Sequence, residues 1–459
     1  MEYISTRNTK NIFSFKEVFL KGLAPDGGLF IPRKFPHLTI QELESFRDLS
    51  YNELAVKIIS MFCDDEFSKE EIQSIIKNSY KNFRVKDVVA VKKFGKVNLL
   101  ELFYGPTLAF KDVAMQVIGN MYEKILERNK LKVNIVVATS GDTGAAAINA
   151  IKDRKNIKIF VLHPNKKISE VQRKFMTTVN SKNVFNIALD GNFDDCQKLI
   201  KSMFADKNFS EAINITGVNS INWSRIAVQI VYFFFSYFKI AKPGEKINFS
   251  VPTGNFGDVY SGYVAKKMGL PINKLIIATN KNDILKRVIK TGIYKPMKAV
   301  HTVSPSMDIQ VASNFERLIF DVCSCDSNKT SKLMNDLDSK GELKLQGEEL
   351  KKIKESFFSE SLSESETKQI INQTYKDQNI LIDPHTSVGI GAAKKISLQE
   401  NTIILSTAHP AKFSDVVFKE TNVKPELPEY LKNVLINKEN YKKLPKDIKD
   451  IKKYILERI

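Results

Sequence analysis

The sequence predicts an α/β protein built on mostly parallel sheets with helices on both faces. Three observations carry this reading. Short β-branched runs recur through the middle of the chain, helix-forming segments separate them, and several runs end in glycine-containing turns that lead into a helix. In such sheets ligands sit beyond the carboxyl ends of the strands.

The elements follow in order. The first 90 residues combine the turn Ala24-Pro25-Asp26-Gly27-Gly28 with helical patterns. One pattern, over 38–46, carries a capping box of Thr39 with Glu42. A strand-like run at 97–102 leads into Phe103-Tyr104-Gly105-Pro106-Thr107-Leu108-Ala109-Phe110-Lys111-Asp112 and then a helix. A second run, 134–138, precedes Thr139-Ser140-Gly141-Asp142-Thr143-Gly144 and an alanine-rich helix; a third lies at 158–162. The most apolar stretch, 226–240, contains Gln229 and Lys239 and falls short of the roughly 20 residues of a membrane span, so it reads as a buried core helix. Residues 247–251 lead into Pro252-Thr253-Gly254-Asn255-Phe256-Gly257-Asp258 and a helix. Further strands are expected at 275–279 and 402–406, the last followed by Thr407-Ala408-His409-Pro410-Ala411-Lys412-Phe413. Residues 323–377 are polar and read as a peripheral helical insertion without chemistry. The expected domains are 1–90, a smaller α/β unit at 91–240 and a larger one at 241–459.

Composition excludes several classes. The 459 residues allow two to four domains, and 43% hydrophobic residues suffice for a large core. No signal-type apolar segment stands at the start. The four cysteines include one close pair, Cys323 and Cys325, with no second pair to complete a zinc site. This pattern suits a reducing compartment, and the expectation is a cytoplasmic protein without a membrane partner. The net charge of +18 fits an anionic ligand or a general lysine bias. Lysines are scattered and no nucleic-acid-binding pattern is present, so no nucleic-acid partner is expected. The densest basic stretch, 442–453, reads as a solvated helix face. The five histidines show no metal-helix spacing, and no Gly-x-Ser-x-Gly elbow occurs.

Chemistry concentrates in the Lys111 turn and in three further loops. Lys111 stands among apolar neighbours at a helix start. Desolvation favours its neutral, nucleophilic amine, as a Schiff base with an aldehyde cofactor requires; the competing reading is a lysine that snorkels to solvent. The Thr253–Asp258 loop can gather backbone N–H groups around an anion at a helix start, or simply be a tight turn. It lacks the lysine of a nucleotide-binding P-loop. The Thr139–Gly144 loop suits a carboxylate, with Asp142 alternatively a helix cap. In the 406–413 segment a hydroxyl suits a ring nitrogen. His409 is either a general base or structural.

These motifs, taken together, resemble the threonine synthases, pyridoxal-phosphate enzymes of the tryptophan-synthase β-type fold (fold type II). The likeness runs through Gly22-Leu23-Ala24-Pro25-Asp26-Gly27-Gly28-Leu29-Phe30-Ile31-Pro32, 105–116 and 138–147. It continues through Asn219-Ser220-Ile221-Asn222-Trp223-Ser224-Arg225, 252–263, Ser304-Pro305-Ser306-Met307-Asp308-Ile309, Ser313-Asn314-Phe315-Glu316-Arg317 and 406–413. The resemblance implies that Lys111 anchors pyridoxal phosphate. Gly254, Asn255, Phe256 and Gly257, with Asp258 beside them, would hold its phosphate, and Thr407 its ring nitrogen. Asp142 stands where many relatives of this fold place an asparagine against the ring hydroxyl. Thr139, Ser140, Gly141 and Thr143 would take the substrate carboxylate. Arg225 and Lys412 are the candidates for the substrate phosphate. The implied reaction converts O-phospho-L-homoserine and water to L-threonine and phosphate, by a monomer or homodimer. The rivals are a phospho-lyase that releases a keto acid from such a substrate, and a non-catalytic or nucleic-acid-binding protein using the basic surface.

Overall fold

The chain is described by a computed structural model covering residues 1–165, 168–398 and 401–459. Near the N-terminus β1 (Tyr3–Ser5) pairs antiparallel with β2 (Phe30–Pro32). The helices Phe15–Lys21, Tyr51–Cys63 and Lys69–Tyr80 each start at a serine whose hydroxyl accepts from the third helical amide, while the glutamate there returns a bond to the cap. Thr39 and Glu42 do the same for helix Ile40–Ser45, as their spacing predicts.

The remaining strands are β3 (Ala90–Phe94), β4 (Val97–Glu101), β5 (Val133–Ala138), β6 (Ile157–Pro164), β7 (Val184–Leu189), β8 (Ile215–Thr216), β9 (Ile247–Pro252), β10 (Ile272–Thr279), β11 (Ile293–Tyr294), β12 (Leu343–Lys344), β13 (Phe357–Ser361), β14 (Thr402–Ser406) and β15 (Lys442–Leu444). One sheet runs β15-β7-β6-β5-β8, all parallel. The other runs β13-β10-β9-β14-β4-β3, parallel except for the β3–β4 hairpin. β11 and β12 form a small antiparallel pair. The interior strands β5, β6, β9 and β14 are buried along nearly their whole length, as strands covered on both faces must be.

The six strand runs read from the sequence all form strands. The sheets do not follow the domain limits that the sequence suggests. β4, from the 91–240 unit, pairs with β14 in the six-stranded sheet. β15, from the 241–459 unit, closes the edge of the other sheet against β7. Local periodicity reports a strand and is silent about its neighbour. The 323–377 stretch is helical over Ser327–Lys340, Glu348–Ser356 and Glu364–Gln378, but it also supplies β13, the edge strand beside β10. The lysine run at 442–453 divides between β15 and the helix Ile448–Leu456, which buries Ile451 and Ile455.

The apolar stretch forms the helix Trp223–Ile240, buried on all sides from Trp223 to Phe238. It packs against the helices Tyr51–Cys63, Lys111–Asn129 and Gly257–Lys267, which accounts for its uniform apolarity. Among the described residues no helix is long and apolar enough to cross a membrane. β4 and β14 are neighbours in one sheet and β5 is interior to the other. The loops at their carboxyl ends meet, and the site lies there.

Candidate active site

The turn before Lys111 is built by a carboxylate. Buried Asp112 accepts from the Thr107 amide at 2.7 Å and from Thr107 Oγ1 at 2.6 Å. Gly105 lies against it so closely that a Cβ there would stand 2.4 Å from the Asp112 Cβ, which requires glycine. The turn then pairs antiparallel with the segment after β14: the Phe110 amide donates to the Thr407 carbonyl at 2.8 Å, and the His409 amide to the Leu108 carbonyl at 3.1 Å. Two loops far apart in sequence are thus fixed side by side.

Lys111 opens the helix Lys111–Asn129 with its side chain buried and its Nζ 4.7 Å from the Phe110 ring centroid. Burial pulls its ammonium down to about 8; Asp142 opposes this, and the positive charges of Lys412 and Arg225 reinforce it. An amine in this range exists largely neutral at mildly basic pH, and the snorkelling alternative is excluded by its burial.

Asp142 is the hub of the site. One oxygen accepts from Lys412 Nζ at 2.7 Å and from Gln172 Nε2 at 3.1 Å. The other lies 3.7 Å from Lys111 Nζ and accepts from Ser306 Oγ at 3.3 Å. Burial raises its proton affinity, but Lys412 and Lys111 outweigh burial and hold the carboxyl far below the usual range. Its side chain makes no cap bond for the helix Asp142–Ile151, so the capping alternative falls. Lys412 is fully buried and also donates to the Thr107 carbonyl at 2.8 Å. It is therefore committed to Asp142 and to the lysine turn.

The loop after β9 has the shape of an anion cradle. Phe256 takes a left-handed conformation with φ +64°, and the helix Gly257–Lys267 begins directly after it. A Cβ on Gly254 would meet the Ser306 carbonyl oxygen at 2.5 Å, whereas at Gly257 the nearest atom is Asn314 Nδ2 at 3.3 Å. Gly254 is thus the position where close approach demands glycine. Asn314 holds the loop from behind: its amide and its Nδ2 both donate to the Asn255 carbonyl, at 3.2 and 3.0 Å. Arg317, fully buried, donates to Asn314 Oδ1, to the Phe30 carbonyl at 2.9 Å and to the Ile221 carbonyl at 2.6 Å.

Arg225 and Asp258 form a corner of different character. Arg225 is 3% exposed and its Nε is buried without a hydrogen-bond partner among the described residues. Burial lowers its pKa from the ordinary arginine value to about 10. Asp258 accepts from the Tyr232 hydroxyl with one oxygen, while its other oxygen is buried without a partner. Burial pushes its carboxyl up to about 7. Asp258 thus belongs to the wall behind the cradle, facing Tyr232. A buried guanidinium with an unpartnered Nε is chemistry that suits an anion.

The other expected residues take distinct positions. Thr139 Oγ1 accepts from the amides of Gly141 and Gly144, both at 2.9 Å, so its hydroxyl builds the loop. Gly141 has φ +134° and leaves no room for a Cβ, which would approach Gln172 to 2.9 Å. Ser140 and Thr143 are half-buried beside Asp142. Thr407, buried, sits next to the lysine turn. His409 accepts from the Ala411 amide at 3.2 Å and stands edge-on to Phe103; burial lowers it to about 4. That is the structural reading of the two. Sequence reasoning gave no role to Gln172, Ser306, Asn314, Asp112 or Arg317. The motifs 304–309 and 313–317 were the available signal for three of them; nothing local marks Gln172.

The donor set therefore offers a neutral-leaning lysine for an aldehyde, a glycine-walled cradle at a helix start for a phosphate, and a spare guanidinium for a second anion. This fits pyridoxal phosphate. Residues 92–334 match the family model of pyridoxal-phosphate-dependent enzymes, 2–80 that of the threonine synthase N terminus and 386–455 that of the threonine synthase C-terminal region. The chain is 39% identical over 459 residues to a threonine synthase of Pseudomonas aeruginosa, covering 99% of this chain and 98% of that one. The pyridoxal-phosphate-bound threonine synthase from Brucella melitensis superposes with a TM-score of 0.96 at 40% identity, over 100% of this chain and 99% of that one. The threonine synthase from yeast does so with a TM-score of 0.94 at 38% identity, over 100% and 98%.

Proposed function

The chain belongs to the threonine synthase family, and on that premise we propose which of its residues convert O-phospho-L-homoserine and water to L-threonine and phosphate. Pyridoxal phosphate, when bound, supplies an electron sink for negative charge developing on the substrate carbons. Lys111 anchors it, the Gly254–Gly257 loop takes its phosphate, and Thr407 lies on the strand end suited to its ring nitrogen.

The reaction removes phosphate from the γ carbon and places a hydroxyl on the β carbon. Protons must therefore leave and return at the α carbon, leave the β carbon, and be added at the γ carbon, which ends as a methyl group. Lys111 is suited to this, since its amine lies in a range where it both takes and returns a proton near neutral pH. Asp142 steadies the protonated lysine from 3.7 Å. The Ser140–Thr143 loop presents hydroxyls and a helix start to the substrate carboxylate. Arg225 takes the substrate phosphate, which supplies the partner its Nε lacks.

The observation that carries this reading is the convergence of Lys111, Asp142 and Lys412 from three separate loops at one buried point. The free cysteines, three of them buried, suit a cytoplasmic enzyme. The decisive assay incubates the holoenzyme with O-phospho-L-homoserine and quantifies products. Threonine and phosphate in equal amounts are expected. 2-Oxobutyrate in place of threonine would assign a phospho-lyase instead.

A further inference from the structure

Two helices start side by side, and their first turns hold three buried polar atoms without a partner among the described residues. These are Ser224 Oγ and Arg225 Nε on the helix Trp223–Ile240, and Asp258 Oδ2 on the helix Gly257–Lys267. The two helices run in the same direction. A Cβ on Gly257 would lie 3.7 Å from Ile226 Cδ1, Ser261 Oγ donates to Gln229 Oε1 at 3.4 Å, and a Cβ on Gly262 would meet the Phe233 ring at 2.7 Å. Partners thus advance together along both helices, and the two positive dipole ends lie at one place. A helix start suits an anion, and a buried unpartnered donor beside it points to one.

A carboxylate at that place would repel an anion, yet Asp258 stands there. Its surroundings resolve the conflict. Burial favours the neutral acid and outweighs the Tyr232 hydrogen bond and the charges of Lys111 and Arg225, which act the other way. Its Oδ1 accepts from the Tyr232 hydroxyl, so the neutral acid carries its proton on Oδ2, where the protein supplies no acceptor. An anion oxygen is such an acceptor. Ser224, Arg225 and the acid then offer three donors to one tetrahedral anion.

We infer that Ser224, Arg225 and Asp258 form one tetrahedral-anion site, which Asp258 enters as the uncharged acid, so that the anion is held together with a proton. The inference rests on the reading of Arg225 as the anchor of the substrate phosphate, and it adds the condition under which that phosphate is held. The site binds while Asp258 is protonated and releases the anion as Asp258 ionises. The proton comes from solvent and stays on Oδ2, hydrogen-bonded to the anion. The Gly254–Gly257 cradle leads into the same helix start. The cofactor phosphate and the substrate phosphate are therefore the two candidate occupants, and the test separates them.

The test uses sulfate, a tetrahedral anion whose charge is constant between pH 6 and pH 8.5. Sulfate is titrated calorimetrically into the pyridoxal-phosphate-loaded enzyme, in two buffers of different ionisation heat. Apparent affinity follows the protonated fraction of Asp258, whose carboxyl titrates at about 7. The wild type should therefore bind sulfate about thirtyfold more weakly at pH 8.5 than at pH 6, and take up about one proton per sulfate at pH 8.5. D258N carries a permanent amide donor. Its affinity should stay constant within about threefold, without proton uptake, and exceed that of the wild type at pH 8.5. Y232F removes a donor that favours the carboxylate, so its loss of affinity should begin at higher pH. R225Q should weaken sulfate binding roughly ten- to a hundredfold. A pH-independent affinity in the wild type, the same fall in D258N, or a fall at lower pH in Y232F overturns the proposal and leaves Arg225 an anion anchor. Unchanged affinity in R225Q removes the reading of Arg225, and this inference with it. Sulfate binding to the apoprotein alone would give the corner to the cofactor phosphate, and no binding to either form at pH 6 would leave no anion site; both overturn the proposal.

Discussion

Two buried charged clusters act on Lys111, and they are finished to different degrees. Around Asp142 each carboxylate oxygen has two polar neighbours, drawn from Lys412, Gln172, Lys111 and Ser306. Around Arg225 and Asp258 the guanidinium Nε has no hydrogen-bond partner and one carboxylate oxygen is orphaned. Burial alone would forbid the second arrangement, because an unpaired buried charge is destabilising. The difference teaches that the first cluster is satisfied within the protein itself, while the second keeps polar atoms with no partner in the protein, as the proposed anion-binding role of Arg225 requires. Satisfaction of buried polar groups thus separates machinery held ready from machinery completed on binding.

The contrast is open to direct attack. The largest effect is expected at Lys111: Lys111→Ala should lower turnover by about three orders of magnitude or more and abolish the cofactor's visible band, because no other neutral-leaning amine stands there. Retained threonine formation in that variant would show that the finished cluster is not the reacting one. Arg225→Gln comes next. It should raise KM for the phosphorylated substrate roughly ten- to a hundredfold, yet leave the thermal midpoint of the apoprotein unchanged or higher, since the charge removed had no partner. A fall in that midpoint would mean the guanidinium is structural. The smallest effect is expected at Asp258. Its carboxyl titrates at about 7 in the folded protein, raised by burial from an ordinary value near 4. The folded state therefore binds the proton more tightly than the unfolded one, so stability falls as pH rises from about 4 to about 7 and stays low above it. Asp258→Asn should raise the apoprotein's thermal midpoint at pH 8 by a few degrees and leave it unchanged at pH 4. Equal midpoints at both pH values would place Asp258 outside the unfinished cluster.

The same division governs what was legible in the sequence. Lys111, the Gly254–Gly257 loop and Asp142 follow strand-like runs and carry glycine or capping chemistry, which are local signals. The strands they follow were equally plain. The partner of each group was not. Lys412 reads from sequence as a spare cation for phosphate, and only the pairing of 108–110 with 407–409 brings it to Asp142. Gln172 lies in a polar helix with nothing to mark it, and Asn314 and Arg317 sit in a family-like motif whose task, holding the Asn255 carbonyl from behind, depends on a contact across the fold. Sheet order escaped for the same reason: β13 lies within a stretch that otherwise reads as helical, and β15 within one that reads as a lysine face.

The place of β14 in its sheet sets a timetable for the nascent chain. β14 lies between β9 and β4, both of which leave the ribosome well before it. Until it emerges, the six-stranded sheet has an empty slot at its middle, with the apolar edges of two strands facing a missing neighbour. Such edges recruit chaperones or pair wrongly. The lysine turn also waits, since its antiparallel partner spans 407–409. A cofactor that meets the growing polypeptide finds no seat, and loading is an event that follows translation of the 402–413 segment.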